Sequence, residues 1–329
     1  MTRSRFQRYF VEVTNSRCRL LVALVTQTVI TQIVLAGFGI GTASAAVKVV
    51  KATIQEIDEQ DRTIGVTTVE GAEDLLLDVI HKTHIAIGDK EARQNDLQPG
   101  QTAMVTYDPE LSVVTRIDAV PYEAPKGQID LFNGNDLDGW KFVISPKYVQ
   151  PLREGDCWDV NVERHVMVAK GKATTWLATE STFDNFTLNF EWRFLPDSPL
   201  SANGSGIVIR AGGFFSNDAD PRGIEMDISE SKSGDFICYG TPLANSRRKI
   251  AGETQQRLDR LSTPELKPIG RWNRTEIRCD QDRIEVKFNG KLVNEATGAR
   301  VKKGEICFRS QNTAVEFRRI RLTPIADAP

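Results

Sequence analysis

Gly223-Ile224-Glu225-Met226-Asp227-Ile228 sets apolar side chains at every second position and acids between them. Successive side chains of a strand point to opposite faces. Ile224, Met226 and Ile228 therefore share one face, and Glu225 and Asp227 share the other. That is the pattern of a strand with one side in a core and one side outward. The reading extends to Phe190-Glu191-Trp192-Arg193-Phe194, where Glu191 and Arg193 stand opposite three aromatic rings. In Gly206-Ile207-Val208-Ile209-Arg210, Arg210 is expected on the face of Gly206 and Val208. Further strands are expected over 272–279, 283–288, 304–309 and 315–324, with Asn289-Gly290 as a two-residue hairpin turn. No segment keeps a helical period for more than a couple of turns. Residues 128–326 thus read as an all-β sandwich. An outward polar face is ordinary for one strand, but three neighbouring strands bearing carboxylates and arginines make a candidate binding face.

Upstream, Pro121-Tyr122-Glu123-Ala124-Pro125-Lys126-Gly127 is a linker, because two prolines restrict its backbone. Residues 47–120 carry about six short alternating strands (48–57, 63–69, 74–80, 83–87, 102–107 and 113–120) and read as a small OB-like β-barrel. They show no aromatic stacking platform, so a structural or partner-docking role is expected. Residues 1–46 read as a targeting segment. Arg3, Arg5, Arg8, Arg17 and Arg19 precede an uncharged, mostly apolar stretch over 20–40, and small residues at 43–46 supply a cleavage site. A cleaved signal is favoured over an uncleaved membrane tether through 20–40, since Thr and Gln dilute that stretch. Either way the remainder is expected to be periplasmic, secreted or at the cell surface.

The formal net charge is −2. Residues 47–120 hold seven basic and fourteen acidic side chains, and 121–329 are nearly balanced. No clustered positive face offers itself to nucleic acid, which is excluded as a partner. Cys157, Cys238, Cys279 and Cys307 lack paired metal-site spacing, leaving disulfides or buried thiols. His81, His84 and His165 read as surface histidines, and the five tryptophans read as core residues, with Trp176, beside Thr174 and Thr175, as the alternative for a sugar platform. The polar stretch 241–268 reads as a long loop.

The run Glu225-x-Asp227-x-x-Glu230 resembles that of retaining β-glycanases of the laminarinase type, with Glu230 joining the first two acids only through a bulge. The flanking residues resemble a different family. Asp130-Leu131-Phe132-Asn133-Gly134-Asn135-Asp136-Leu137-Asp138-Gly139-Trp140 is similar to the opening signature of the 3-keto-disaccharide hydrolases, also described as 3-keto-glucoside lyase/hydratases. Glu191-Trp192-Arg193, Asn203-Gly204-Ser205-Gly206-Ile207 with Arg210, the Gly223–Asp227 run, Tyr239-Gly240, Gly270-Arg271-Trp272-Asn273 and Val315-Glu316-Phe317-Arg318-Arg319-Ile320 follow in the family's order. Asp227 stands where an amide is common, and Gly204 separates Asn203 from Ser205.

The resemblance implies a concanavalin-like jelly roll acting on an oligosaccharide or other glycoside already oxidised at C3. A ketone at C3 acidifies the C2 proton, so a base can remove it, the C1 oxygen leaves, and water adds to the enone. On this reading Glu225 or Asp227 is the base and Glu191 orients Arg193 or acts as the acid. Arg193 and Arg210 hold the enolate or hydroxyls, and Asn203, Glu230 and Tyr239 contact the sugar. A divalent cation such as Ca²⁺ is an alternative stabiliser. A non-catalytic carbohydrate-binding module is the third reading.

Overall fold

The computed structural model describes residues 47–144, 152–196, 204–213, 221–246 and 255–326. The expected targeting segment, Asn203 and Arg247-Arg248-Lys249 lie outside them. Among the described residues, no helix is long and apolar enough to cross a membrane.

Five strands close the small barrel in the order Thr63–Thr68, Lys48–Asp58, Thr102–Asp108, Val113–Ala119 and Asp74–Ile87, with the last pairing back to the first. Val113–Ala119 and Asp74–Ile87 run parallel, and the other pairs are antiparallel. This is the OB-like closure expected, and it leaves the barrel without a free edge. The imperfect alternation of Val50, Ala52, Ile54 and Ile57 has a local cause. The register shifts between Ile54 and Glu56, which changes the inward phase of the strand. The two strands expected over 74–80 and 83–87 are one, bent where its register slips between Val79 and His84. There the Thr83 hydroxyl accepts from the Ile80 N–H at 3.0 Å and donates to the Val114 carbonyl at 2.6 Å.

The remainder is a jelly-roll sandwich of two antiparallel sheets. The first orders Lys291–Ala296, Arg283–Phe288, Asn273–Asp280, Phe186–Phe194, Val315–Pro324, Val166–Ala169 and Trp158–Asn161, with Ile129–Asp130 also on Val315–Pro324. The second orders Gln256–Leu258, Phe236–Tyr239, Gly223–Ile228, Ser205–Ala211, Glu305–Ser310, Thr175–Thr179 and Trp140–Ile144. Gln256–Leu258 corrects the loop expected over 241–268, because it extends the second sheet. Between the sheets, Phe308 packs edge-on against Phe190 and Phe317 at 5.3 and 5.0 Å. All four described cysteines are buried free thiols. Burial pushes Cys279 up to about 12, which makes it unreactive.

The described residues pack as one compact unit. The barrel turn Glu59-Gln60 rests on the outer face of the first sheet. Arg318 donates to both Glu59 carboxylate oxygens at 2.8 and 2.6 Å and to the Ile57 carbonyl at 2.9 Å. Arg193 donates to Gln60 Oε1 at 2.7 Å, and Arg271 pairs with Asp58 and Asp61. The Arg193 and Arg318 guanidinium groups lie over the Trp272 ring at 4.5 and 4.0 Å. The acidic barrel thus docks on a basic sheet face.

Candidate functional site

Pairing in the second sheet lines up Val143, Trp176, Arg309, Gly206 and Asp227 as cross-strand neighbours. A second row holds Ala178, Cys307, Val208, Glu225 and Ile237. Both rows face away from the core, because the intervening Leu177, Phe308, Ile207 and Met226 belong to it.

Glu225 and Arg309 sit on strands separated by Ser205–Ala211, yet their side chains meet. Arg309 Nη2 lies 2.8 Å from Glu225 Oε1, and Nη1 donates to Oε2 at 3.1 Å. The Tyr239 hydroxyl donates to Oε2 at 2.9 Å. Such a two-point contact fixes the guanidinium plane as well as its position. It is possible because Gly206 lies between them. A Cβ there would fall 2.0 Å from Glu225 Oε1. Gly206→Ala is therefore expected to force the pair apart. Breaking a buried pair costs about 3–5 kcal/mol, and urea denaturation of this variant checks it. Glu225, Asp227 and Arg309 are 0, 5 and 6 % exposed.

Asp227 shares the face of Glu225, and its Oδ1 is buried with no hydrogen-bond partner among the described residues. Burial pushes its carboxyl above the ordinary range. Ser229 and Arg309 pull it down by less, and Asp235 adds to the rise. A buried carboxylate with raised proton affinity and one open oxygen suits general-base work.

Glu225 and Asp227 thus share one face, with Tyr239 hydrogen-bonded to Glu225, but other expected members lie elsewhere. Phe186–Phe194 belongs to the first sheet, so Glu191 and Arg193 lie on the opposite side of the sandwich, under the barrel. Alternation tells a residue's face but not its sheet. Glu191 accepts from Arg318 at 2.6 Å and from Arg319 at 3.1 and 3.0 Å, while Arg193 pairs with Glu316 at 2.7 Å. Burial raises the Glu191 carboxyl, but Arg319 and Arg318 outweigh it and hold it at about 2. A carboxylate so held is a structural counter-ion, not an acid catalyst.

Arg210 also departs from the expected face. The register slips between Val208 and Ala211, and Arg210 takes a left-handed φ of 53° in that bulge. Its guanidinium donates to the carbonyls of Gln281 at 2.6 Å and Val301 at 3.2 Å. Glu230 is exposed in the turn after Gly223–Ile228, so no bulge brings it beside Glu225 and the paired acids of a retaining β-glycanase are not assembled. Among the described residues, no three His, Cys, Asp or Glu side chains gather as metal ligands.

Arg309 is the member that sequence reasoning missed. Alternation in Glu305-Ile306-Cys307-Phe308-Arg309 does turn it outward, but only the strand order sets it beside Gly206. The opening signature proves architectural. Asn133 Oδ1 accepts from the N–H groups of Asn135 and Asp136 at 2.7 and 3.1 Å, and Trp140 Nε1 donates to the Leu131 carbonyl at 2.7 Å. His165 is exposed, as expected of a surface histidine. Its ring packs on Gly134, where a Cβ would fall 2.8 Å from Nδ1.

No curated protein matches the chain in sequence. Among solved structures, it is similar to a proposed glycosyl hydrolase from Parabacteroides distasonis, at 18% identity over 61% of this chain and 95% of that one, with a TM-score of 0.43. It is also similar to a carbohydrate-binding module from Bacillus subtilis, at 10% identity over 56% and 96% of the two chains, with a TM-score of 0.39. The Bacillus licheniformis beta-glucanase shares 10% identity over 61% of this chain and all of that one, with a TM-score of 0.39. Residues 127–323 match the family described as 3-keto-alpha-glucoside-1,2-lyase-like. With its opening and closing signatures at the two ends of that match, the chain belongs to this family of carbohydrate-active domains.

Proposed function

We propose that this protein is an exported enzyme that cleaves 3-keto-glycosides by elimination and hydration. The observation that carries the reading is Asp227, a buried carboxylate of raised proton affinity beside an arginine fixed by Glu225. Asp227 takes the C2 proton. Arg309 stabilises the charge that develops on the C3 oxygen, and Glu225 holds that guanidinium in place. As the C1–O bond breaks and C1=C2 forms, Tyr239 protonates the departing oxygen. Water then adds its hydroxyl to C1, Asp227 returns its proton to C2, and the remaining water proton restores Tyr239, so the sequence balances as a hydrolysis. Export is supported by the basic and apolar pattern of residues 1–40.

The test is product analysis after incubation with 3-keto-trehalose, with unmodified trehalose and with a β-glucan. Glucose released from the keto sugar alone is expected. Cleavage of either unoxidised substrate, or of none of the three, overturns the reading.

A further inference from the structure

The barrel and the first sheet enclose a cleft of about 310 Å³ that the proposed chemistry does not use. Asp227 lies on the other sheet. The barrel wall of the cleft carries Asn95 and Gln98, and the sheet wall carries Arg164, Arg318, Arg319 and Arg321. Its volume falls at the small end of ligand pockets, about 300–1,000 Å³, which commonly form at domain junctions. The family match begins at residue 127, so the barrel wall lies outside it.

A bulge builds the arginine wall. Asn189 pairs with Arg321 and Glu191 with Arg318, so Phe190 alone stands opposite both Arg319 and Ile320. Arg319 is the extra residue and takes a left-handed φ of 51°. Because of it, Phe317, Ile320 and Leu322 all reach the core while Arg318, Arg319 and Arg321 all line the cleft. Strict alternation would turn Arg319 inward. Strained backbone at a non-glycine residue is a feature of ligand clamps.

The carboxylates nearby do not use up these guanidinium groups. Arg164 and Arg193 share Glu316, Arg318 and Arg319 share Glu191 and Glu59, and Arg321 holds Asp130. Five positive charges thus meet four negative ones. Arg318 is saturated by Glu191, Glu59 and the Ile57 carbonyl. By contrast, Arg164 Nε, Arg319 Nε and Arg321 Nη1 have no hydrogen-bond partner among the described residues. Open donors on three side chains match the several oxygens of a tetrahedral oxyanion better than the two of a carboxylate. The Asn95 side chain and the Gln98 amide nitrogen are likewise open among the described residues, and they suit hydroxyl groups beside the anion.

We propose that this cleft binds a sugar-sized molecule bearing a phosphate or sulfate group. The anion sits on Arg164, Arg319 and Arg321, and the hydroxyls meet Asn95 and Gln98. The barrel thereby supplies one wall of a binding site, and neither the site nor its test depends on the lyase chemistry.

Calorimetry at one ionic strength tests it with glucose 6-phosphate, glucose 6-sulfate, glucuronate, glucose, and inorganic phosphate and sulfate. At least one ester is expected to bind, more tightly than glucuronate or either free anion, and glucose is expected not to bind. The tighter ester identifies the group. Arg321→Gln should weaken that ester about tenfold or more, in line with loss of one charge-assisted hydrogen bond. Arg283→Gln, which removes a charge toward the other edge of the same sheet, should leave it unchanged. Should Arg321→Gln fail to fold, Asn95→Asp decides, because Asn95 is exposed and an added carboxylate there should weaken binding about as much. The site is overturned if neither ester binds, or if glucose, glucuronate or a free anion binds as tightly. Unchanged affinity in the folded cleft variant, or an equal loss in Arg283→Gln, overturns it too.

Discussion

Asp227→Asn is expected to lower kcat on a 3-keto-glycoside by about 10²–10⁴-fold, the range that a general base contributes. The substitution keeps the size and one carbonyl oxygen of the side chain but removes its basicity. Because Asp227 has one oxygen without a partner among the described residues, the amide can enter with little disturbance of the fold. Its melting temperature should therefore stay near wild type, and a large loss of stability would show that the carboxylate is needed for packing. In the wild-type enzyme the base works only when ionised. Since burial raises its proton affinity, activity should fall with decreasing pH at a point above the ordinary range of aspartate. The acid limb of kcat/KM reports that value, and it should vanish in Asp227→Asn.

Glu191→Gln is expected to destabilise the protein by about 3 kcal/mol at pH 7 without a comparable effect on the chemical step. The carboxyl is held at about 2 against an ordinary 4.5, and a depression of that size corresponds to this much linkage energy. The sign follows from the depression. The stabilisation is complete above the unfolded value and is lost as pH falls through the folded one. The gap between wild type and variant in urea unfolding should accordingly shrink to about half near pH 3. Physically, Arg318 and Arg319 would lose the counter-ion they share, and Arg318 would keep only Glu59 of the barrel as its carboxylate. A large fall in kcat with unchanged stability would return Glu191 to the catalytic role that the sequence suggested.

Much of the fold can be read from two periodicities. Strict alternation in Gly223–Ile228 and Phe186–Phe194 identifies the strands and their inward faces, and Asn289-Gly290 marks a hairpin that the sheet pairing contains. What alternation cannot carry is strand order. Glu191 and Glu225 look alike in their local patterns, yet one lies under the barrel and the other on the far sheet. Bulges are the second blind spot. One extra residue at Arg210 turns a guanidinium that alternation assigns to the site toward backbone carbonyls instead. Arg309 shows the converse, because its partner is reached only across a glycine on an intervening strand. Family signatures located the domain well, but the opening one marks a turn, and Arg318 of the closing one serves docking.

The central claim is that bond cleavage proceeds through removal of the C2 proton by Asp227. Deuterium at C2 of 3-keto-trehalose tests it most directly. Reaction in ordinary water should release glucose with a primary isotope effect on the rate, and that effect should be lost together with the activity in Asp227→Asn. Cleavage at an undiminished rate would mean that C2 is not involved and that displacement occurs directly at C1, and would contradict the account.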